Sequence, residues 1–351
     1  MYRPTVVDLF CGMGGLSYGF KLLGVFKIKG VDINHYATLS YRFNNIGETH
    51  TWDIRSKFPR KYLPLIVVGG PPCKPWSAVN VRLRRRSHPD YSLISKFFEY
   101  IRWINLRSKG KKPAVVVLEN VPPLRRDPIL QKELEKMQKI GFSHSARVIS
   151  YYDFGAASGR RRLFVVLVNE NLVQLSGHGA EIIFGILEEF RNRVKRRRVV
   201  RDVISDLENV ERNSIPDHEW PILKTIRRYI NLYRTNKYGW YVLRWDQPAK
   251  SFGNIMKTYI LHPSAWDWIH NGHSSERFNS VRVISVREAM RIMGFGDSFT
   301  KDKELQELSY IFPKSVPMSH KYQMVADAVS PIFSKYLAEA ILKFLQEHGL
   351  M

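Results

Sequence analysis

The sequence predicts an α/β protein: a doubly wound, mainly parallel sheet with helices on both faces, followed by a smaller region of different character. Three observations predict it. Strand-like apolar runs alternate with helical windows over the first 170 residues, the rhythm of a sheet covered on both sides. A glycine-rich turn, CGMGG (11–15), directly follows the first strand and precedes a helix, as in doubly wound ligand-binding folds. From about residue 181 the alternation stops, and a basic run, RNRVKRRRVVR (191–201), leads into a stretch rich in Trp, Tyr, Asn and Pro.

Each element has its own signal. TVVDLF (5–10) reads as the first strand and LSYGFKLLG (16–24) as the first helix. FKIKGVD (26–32) is the second strand, HYATLSYRFNN (35–45) the second helix, and a third short strand runs up to TWDIRS. LIVVGG (65–70), AVVVLENV (114–121) and RLFVVLV (162–168) are continuous apolar runs, the composition of strands buried on both faces. In SLISKFFEYIRWINLRS (92–108), Leu93, Phe97, Ile101 and Ile104 recur at three- or four-residue spacing, which makes one apolar helix face. PILQKELEKMQKIG (128–141) is a further helical window, and SPIFSKYLAEAILKFLQEHGLM (330–351) is an amphipathic helix. Short irregular strands and loops are expected between about 181 and 280.

Composition narrows the function classes. The chain has 351 residues, 44% of them hydrophobic, enough for a large domain and a smaller one. No apolar run approaches the length of about eighteen residues that a membrane span needs. The opening MYRPTVVDLF runs into a strand without a signal-peptide pattern, so a cytoplasmic setting is expected. Two cysteines, Cys11 and Cys73, make neither a disulfide framework nor a zinc cluster, and no metal is expected. Lys and Arg number 55 against 32 Asp and Glu, a formal charge of +23. That surplus points to a polyanionic partner, nucleic acid ahead of a membrane surface because no amphipathic anchor is visible.

The residues that carry chemistry cluster at the predicted strand ends. Glycines in GMGG let a ligand approach the backbone at a helix N-terminus, and the segment lacks the Lys-Ser/Thr of a phosphate loop. Asp32, ending the second strand, suits a ribose hydroxyl pair, and Asp53 suits an adenine amino group. Each is also a plausible cap or turn carboxylate; with the turn they favour an adenosine-containing ligand. Cys73 stands in GGPPCKPWS between Pro71, Pro72 and Pro75. A buried free cysteine is more often a small hydrophobe. A backbone locked by prolines, beside Lys74 and the RLRRR run (82–86), is the setting of an aimed thiolate. Glu119 in LENV emerges at the same sheet edge, as an acid, an acceptor, or a carboxylate satisfied by a nearby Arg. Arg160 and Arg162 alternate at a strand entrance, so they share one side; a charged surface entrance is the competing reading.

DLFCGMGG (8–15), GGPPCKPWS (69–77), LENV (118–121), GRRRLFVV (159–166), SVREAMRIMGF (285–295) and YQMVADAVSP (322–331), in this order and at these spacings, resemble the cytosine-C5 DNA methyltransferase family. The form resembled is the prokaryotic type II restriction-modification enzyme, and the resemblance leaves only about 181–280 without a family motif. It implies a Rossmann-like S-adenosylmethionine-dependent methyltransferase domain, residues 1–180 with 318–351, and a smaller target-recognition, DNA-binding domain, residues 181–317. The implied reaction transfers a methyl group to carbon 5 of a cytosine flipped out of a duplex. Cys73 is then the nucleophile on carbon 6 and Glu119 the group on the amino nitrogen and N3. Arg162 would lie near the base's carbonyl oxygen, and Arg160 would support the nucleophile or a phosphate. The resemblance places S-adenosylmethionine against Phe10, Gly12, Gly14, Asp32, Ile33, Asp53, Ile54, Gly70, Pro72, Leu93, Asp327 and Val329.

Arg82, Arg84, Arg85 and Arg86 fall on the segment that closes over DNA in that family, with a merely solvated loop as the bland alternative. Lys74, Ser158 and the Ala326–Asp327 pair depart from the usual family residues, and the last makes the role of Asp327 the least secured. A monomer is expected, in the cytoplasm with the nucleoid, sharing its site with a cognate restriction enzyme without a stable complex. Two alternatives stay open: a tRNA cytosine-C5 methyltransferase on the same fold, and a catalytically silent DNA-binding protein.

Overall fold

A computed structural model describes residues 3–56, 58–59, 61–77, 85–173, 175, 177–222, 229–235, 240–271 and 281–351. The chain divides into two compact units: residues 1–149, 161–194 and 333–351 form the first, and 150–160 with 195–332 the second.

The first unit is built on a seven-stranded sheet in the order β3-β2-β1-β4-β5-β7-β6. The strands are β1 (Thr5–Leu9), β2 (Lys27–Asp32), β3 (Glu48–Thr51), β4 (Ile66–Gly69), β5 (Val115–Asn120), β6 (Phe142–Ser150) and β7 (Arg161–Asn169). β1 pairs in parallel with β2 and β4, β2 with β3, and β4 with β5. The order therefore reverses between β1 and β4, the switch point where doubly wound sheets leave a crevice at their carboxyl ends. β7 runs antiparallel to β5, with Glu119 opposite Phe164, so the sheet is mainly parallel, as the sequence predicts, with an antiparallel strand towards one edge. The reason is the connection: β6 and β7 are joined through residues 151–160 without a crossover helix in the first unit, and a parallel return needs one.

Helices α1 (Tyr18–Leu23), α2 (His35–Phe43), α3 (Leu93–Arg107) and α4 (Pro128–Gln138) follow β1, β2, β4 and β5. α3 buries Leu93, Phe97, Ile101 and Ile104 as its spacing predicts, with Ile94, Phe98 and Tyr100 beside them. These side chains pack against Val67 of β4, Val116 and Leu118 of β5, and Leu163, Val165 and Leu167 of β7 in one apolar cluster. All six residues of β5 are buried, the polar Glu119 and Asn120 included. α5 (Glu170–Val173) and α6 (Gly179–Asn192) complete the middle of this unit. α6 crosses the expected break at residue 181: Ile183, Phe184, Ile186 and Leu187 form its buried face, and the basic residues that mask this periodicity lie at and beyond its end. The C-terminal helix, Pro331–Glu347, lies where the sequence predicts it. Its Ser334 side chain accepts from the Gly19 amide and donates to the Leu16 carbonyl, which ties it to the start of α1.

The second unit holds short helices and isolated bridges, such as Val242–Leu261 and Leu261–Val283, more than strands. Its centre is the buried helix Val286–Met293, opened by a capping box between Ser285 and Glu288. Ion pairs do much of the organising here. Arg287 reaches Asp217 and Asp297, Arg291 reaches Asp206 and Asp297, Arg198 reaches Asp302 and Glu304, and Lys321 reaches Asp217 and Glu219. Among the described residues no helix is long and apolar enough to cross a membrane.

Candidate active site

The parallel strands β1, β2, β4 and β5 deliver their carboxyl ends to one edge of the sheet, and Phe10, Gly12, Gly14, Asp32, Gly70, Pro72, Cys73 and Glu119 follow or end those strands. After β1 the chain turns through Phe10, which holds a positive φ of 59° although it has a side chain. Strain of this kind in a non-glycine residue clusters at functional sites. Gly12 and Gly14 follow with φ of 52° and 94°, values that glycine adopts without strain. The Gly12 amide donates to Asp32 Oδ2 at 2.8 Å, and the Asn34 amide donates to Asp32 Oδ1 at 2.8 Å. The turn after β1 and the carboxylate ending β2 are thus one fixed unit, and among the described residues, its chain neighbours aside, no atom lies within 4 Å of where a Gly12 Cβ would stand. An acceptor held beside a glycine-lined opening fits a ribose-bearing ligand.

The other residues expected around the donor divide. Ile33 is 60% exposed, next to Asp32, whereas Ile54 and Leu93 are buried in the apolar cluster beneath the edge. Asp53 is engaged by its neighbour: Arg55 Nε lies 3.0 Å from both carboxylate oxygens, and the Arg55 amide donates to Oδ1. That contact holds the Asp53 carboxyl below its ordinary range. Asp327 and Val329 belong to the second unit. There Asp327 is exposed and accepts from Gln323 Nε2 at 2.7 Å, and Val329 is buried.

β4 ends at Gly69, and the chain passes through Gly70, Pro71 and Pro72 to Cys73, which is half-buried and in no disulfide. Cys73 caps a short turn, Lys74–Trp76, and its carbonyl accepts from the Trp76 amide at 2.9 Å. Next door, Glu119 closes β5. A Cβ at position 70 would stand 2.8 Å from Glu119 Oε2, so glycine is what lets this carboxylate lie along the Pro-Pro-Cys loop. Because β7 is antiparallel to β5 and Phe164 faces Glu119, Arg162 two residues earlier falls on the same face. Its Nε lies 3.2 Å from Glu119 Oε1, both side chains almost fully buried. Glu119 thus has the nearby Arg that the competing reading expects, in a pair at the carboxyl edge of the sheet.

Arg160 lies in the second unit, buried, with Nη1 donating to the Phe252 carbonyl at 3.2 Å and its amide to Ser158 Oγ at 3.3 Å. Arg82 and Arg84 lie outside the described residues; Arg85 opens a short turn, Arg85–Ser87, and Arg86 is exposed. Among the described residues no group of three or more His, Cys, Asp or Glu is placed to hold a metal ion.

Several residues that sequence reading passes over hold this edge together. Asn120 Nδ2 donates to the Pro71 carbonyl at 2.8 Å, and its Oδ1 accepts from the Val121 amide. Trp76 Nε1 donates to Asp127 Oδ2 and the Tyr91 hydroxyl to Asp127 Oδ1, at 2.8 and 2.6 Å. The Asp127–Pro128 pair is a legible helix start, but its longer-range contacts depend on the fold.

Comparison with known proteins finds relatives along the length of the chain. A type II methyltransferase of Neisseria gonorrhoeae, M.NgoPII, is 28% identical over 368 residues, covering 98% of this chain and 97% of that protein. M.FnuDI, a type II methyltransferase of Fusobacterium nucleatum, is 27% identical over 316 residues, covering 84% and 85%. The solved structure of the S. pombe Dnmt2 methyltransferase covers 99% of both chains with a TM-score of 0.66 at 15% identity, a likeness of fold. The C-5 cytosine-specific DNA methylase family matches residues 4–343, and the chain belongs to that family.

Proposed function

We propose that this chain methylates carbon 5 of a cytosine within a short duplex DNA sequence, through a covalent adduct at Cys73, as the modification partner of a restriction enzyme. The observation that carries the reading is the Gly70–Cys73 loop after β4, tied by Asn120 beside the Glu119–Arg162 pair. The type II names of its relatives support the restriction-modification role. In this reading residues 1–180 with 318–351 form the catalytic domain and 181–317 the target-recognition domain. The protein works as a monomer in the cytoplasm, on nucleoid DNA, without a metal.

Carbon 5 of cytosine is a weak nucleophile, and Cys73 overcomes this by covalent catalysis. Its thiolate forms a bond from Sγ to carbon 6, the electron pair of the C5–C6 double bond moves towards carbon 5, and N3 takes a proton from the Glu119 carboxyl. Glu119 also accepts from the exocyclic amino group. Arg162 steadies the carboxyl and faces the base's carbonyl oxygen, so charge that develops on the ring meets a fixed cation. Arg160 supports the nucleophile's loop or a phosphate. S-adenosylmethionine, the family's methyl donor, supplies an electrophilic methyl on sulfur when bound. Phe10, Gly12, Gly14, Asp32, Ile33, Asp53, Ile54, Gly70, Pro72 and Leu93 hold it, with Asp327 and Val329. Once carbon 5 carries the methyl group, water takes the carbon 5 proton, the C5–C6 double bond re-forms as the Cys73 thiolate leaves, and N3 returns its proton to Glu119. Arg82, Arg84, Arg85 and Arg86 contact phosphates around the extruded base.

The test is transfer of labelled methyl to mixed-sequence duplex DNA, single-stranded DNA and bulk tRNA, with Cys73→Ser as control. Label in duplex DNA, lost in the variant, and a covalent complex with 5-fluorocytosine DNA are expected. Label in tRNA alone would replace DNA with RNA as the substrate, and duplex binding without any label would leave a binding protein.

A further inference from the structure

Asp127 has no part in the reaction as described, yet its carboxylate is buried and meets three donors from three places in the chain. Oδ2 accepts from Trp76 Nε1 at 2.8 Å. Oδ1 accepts from the Tyr91 hydroxyl at 2.6 Å and from the Ile129 amide at 3.0 Å, the last being its helix-capping bond at the start of α4. Trp76 stands three residues after Cys73, is almost wholly buried, and lies with its ring centroid 5.5 Å from that of Tyr91. Its amide also donates to the Cys73 carbonyl. Tyr91 stands two residues before α3. Burial and the neighbouring Asp127 push the Tyr91 hydroxyl up to about 12, so it keeps its proton as a donor at neutral pH.

We infer that Asp127 is a positioning residue for Cys73: through Trp76 it fixes the turn that Cys73 caps, and through Tyr91 it anchors that turn to the start of α3. The inference rests on reading Cys73 as the nucleophile. The chemistry of the carboxylate explains why Asp stands here. A cap alone is served by Asn, Ser or Thr, but two further donors converging on opposite oxygens need an acceptor at both. Asn offers one oxygen and one NH2, and the NH2 would face either the Trp76 N–H or the Tyr91 O–H. Charge-assisted bonds of this kind are short and strong, and an aromatic ring locked by one restricts the backbone three residues away.

The test uses the full-length protein as Asp127→Asn, which keeps the α4 cap, Trp76→Phe, which keeps the ring and removes its donor, and the double variant. Two readouts are taken: methyl transfer, corrected for the active fraction titrated with 5-fluorocytosine DNA, and the pH-dependent alkylation rate of Cys73 by iodoacetamide. Buried Cys11 serves as the slow internal control. Both single variants are expected to lose about tenfold or more in kcat, with KM for DNA within about twofold, the signature of a misplaced reacting group. Cys73 alkylation should change by about threefold or more. The double variant should be no worse than Asp127→Asn, because Phe removes the donor that the Asn NH2 opposes. Wild-type kcat and alkylation in both single variants would overturn the inference. So would a loss that disappears on correction for folded protein, or two effects that simply multiply. If the wild-type protein labels no nucleic acid, the methyltransferase reading falls, and unchanged Cys73 alkylation in the variants would still overturn this one separately.

Discussion

Glu119 and Arg162 meet across neighbouring strands, nearly removed from water, with Nε and Oε1 3.2 Å apart. A pair in that setting is set up before substrate arrives, so its field needs no rearrangement during reaction. Glu119→Gln keeps the shape and removes the proton that the carboxyl gives to N3. It is expected to lower kcat by about a hundredfold or more while KM for DNA changes less; an unchanged kcat would move the acid out of the chemistry. Asp8, inside β1, makes a different prediction. Burial, reinforced by Asp32, pushes its carboxyl up to about 8 against the hydrogen bond from Ser17. The folded protein therefore keeps a proton that the unfolded chain releases above about pH 4. Where the folded state holds more protons, stability falls as pH rises. From pH 5 to 8 the wild type should lose stability relative to Asp8→Asn, by at most about 1.4 kcal/mol per pH unit for one proton. Denaturant midpoints of the two proteins, compared across that range, measure it; a constant difference would mean that Asp8 is ionised in the fold.

At the scale of elements, the tie between β5 and the loop after β4 runs through one buried side chain. Asn120 serves the Pro71 carbonyl and the Val121 amide together. Alanine there strands both groups, and each buried polar group left without a partner costs about 1–3 kcal/mol. Asn120→Ala is expected to lower the unfolding free energy by about 2–4 kcal/mol in a denaturant titration, and a loss below that range would mean the loop finds other partners. This tie also marks the limit of what the sequence tells. β1, β2, β4, β5 and β7 were legible as apolar runs, and Asp32, Cys73 and Glu119 as polar residues at their ends, because strand burial and strand termination are local patterns. Arg162 was legible as a motif residue, but its contact with Glu119 depends on the antiparallel register of β7, which no local pattern carries. β6 was missed because its sequence, FSHSARVIS, mixes polar and apolar residues in a strand that is only partly buried. For Asp53 the sequence left an adenine contact and a turn carboxylate open, and the contact with Arg55, two residues on, belongs to the second. Asp127 was passed over, because its bonds to Trp76 and Tyr91 join parts of the chain that the sequence keeps apart.

The whole molecule carries +23, and the fold divides its cations into two populations. Arg198, Arg287, Arg291 and Lys321 are buried in carboxylate pairs of the second unit, where they organise the chain and offer no charge to a partner. Because carboxylates are committed there, the surplus falls on exposed side chains such as Arg193, Lys195, Arg197, Arg201 and Arg244. Two of these lie over aromatic rings, Arg197 at 5.9 Å from Tyr152 and Arg201 at 5.5 Å from Trp245, while Arg244, 5.1 Å from Trp266, is also paired with Asp246. A guanidinium resting on a ring keeps its outer N–H groups for a phosphate and loses less freedom when it binds one. Each phosphate neutralised releases condensed counterions, so the logarithm of the association constant falls linearly with the logarithm of salt, by about 0.9 per contact on duplex DNA. Binding of non-cognate duplex between 50 and 200 mM salt is therefore expected to give a slope steeper than about −3. Arg197→Ala with Arg201→Ala should make that slope shallower by about 2, and Cys73→Ser should leave it unchanged because the substitution removes no cation. A slope near zero would remove duplex DNA as the polyanion that the charge serves, and a normal slope in the double variant would place the phosphate contacts on other cations.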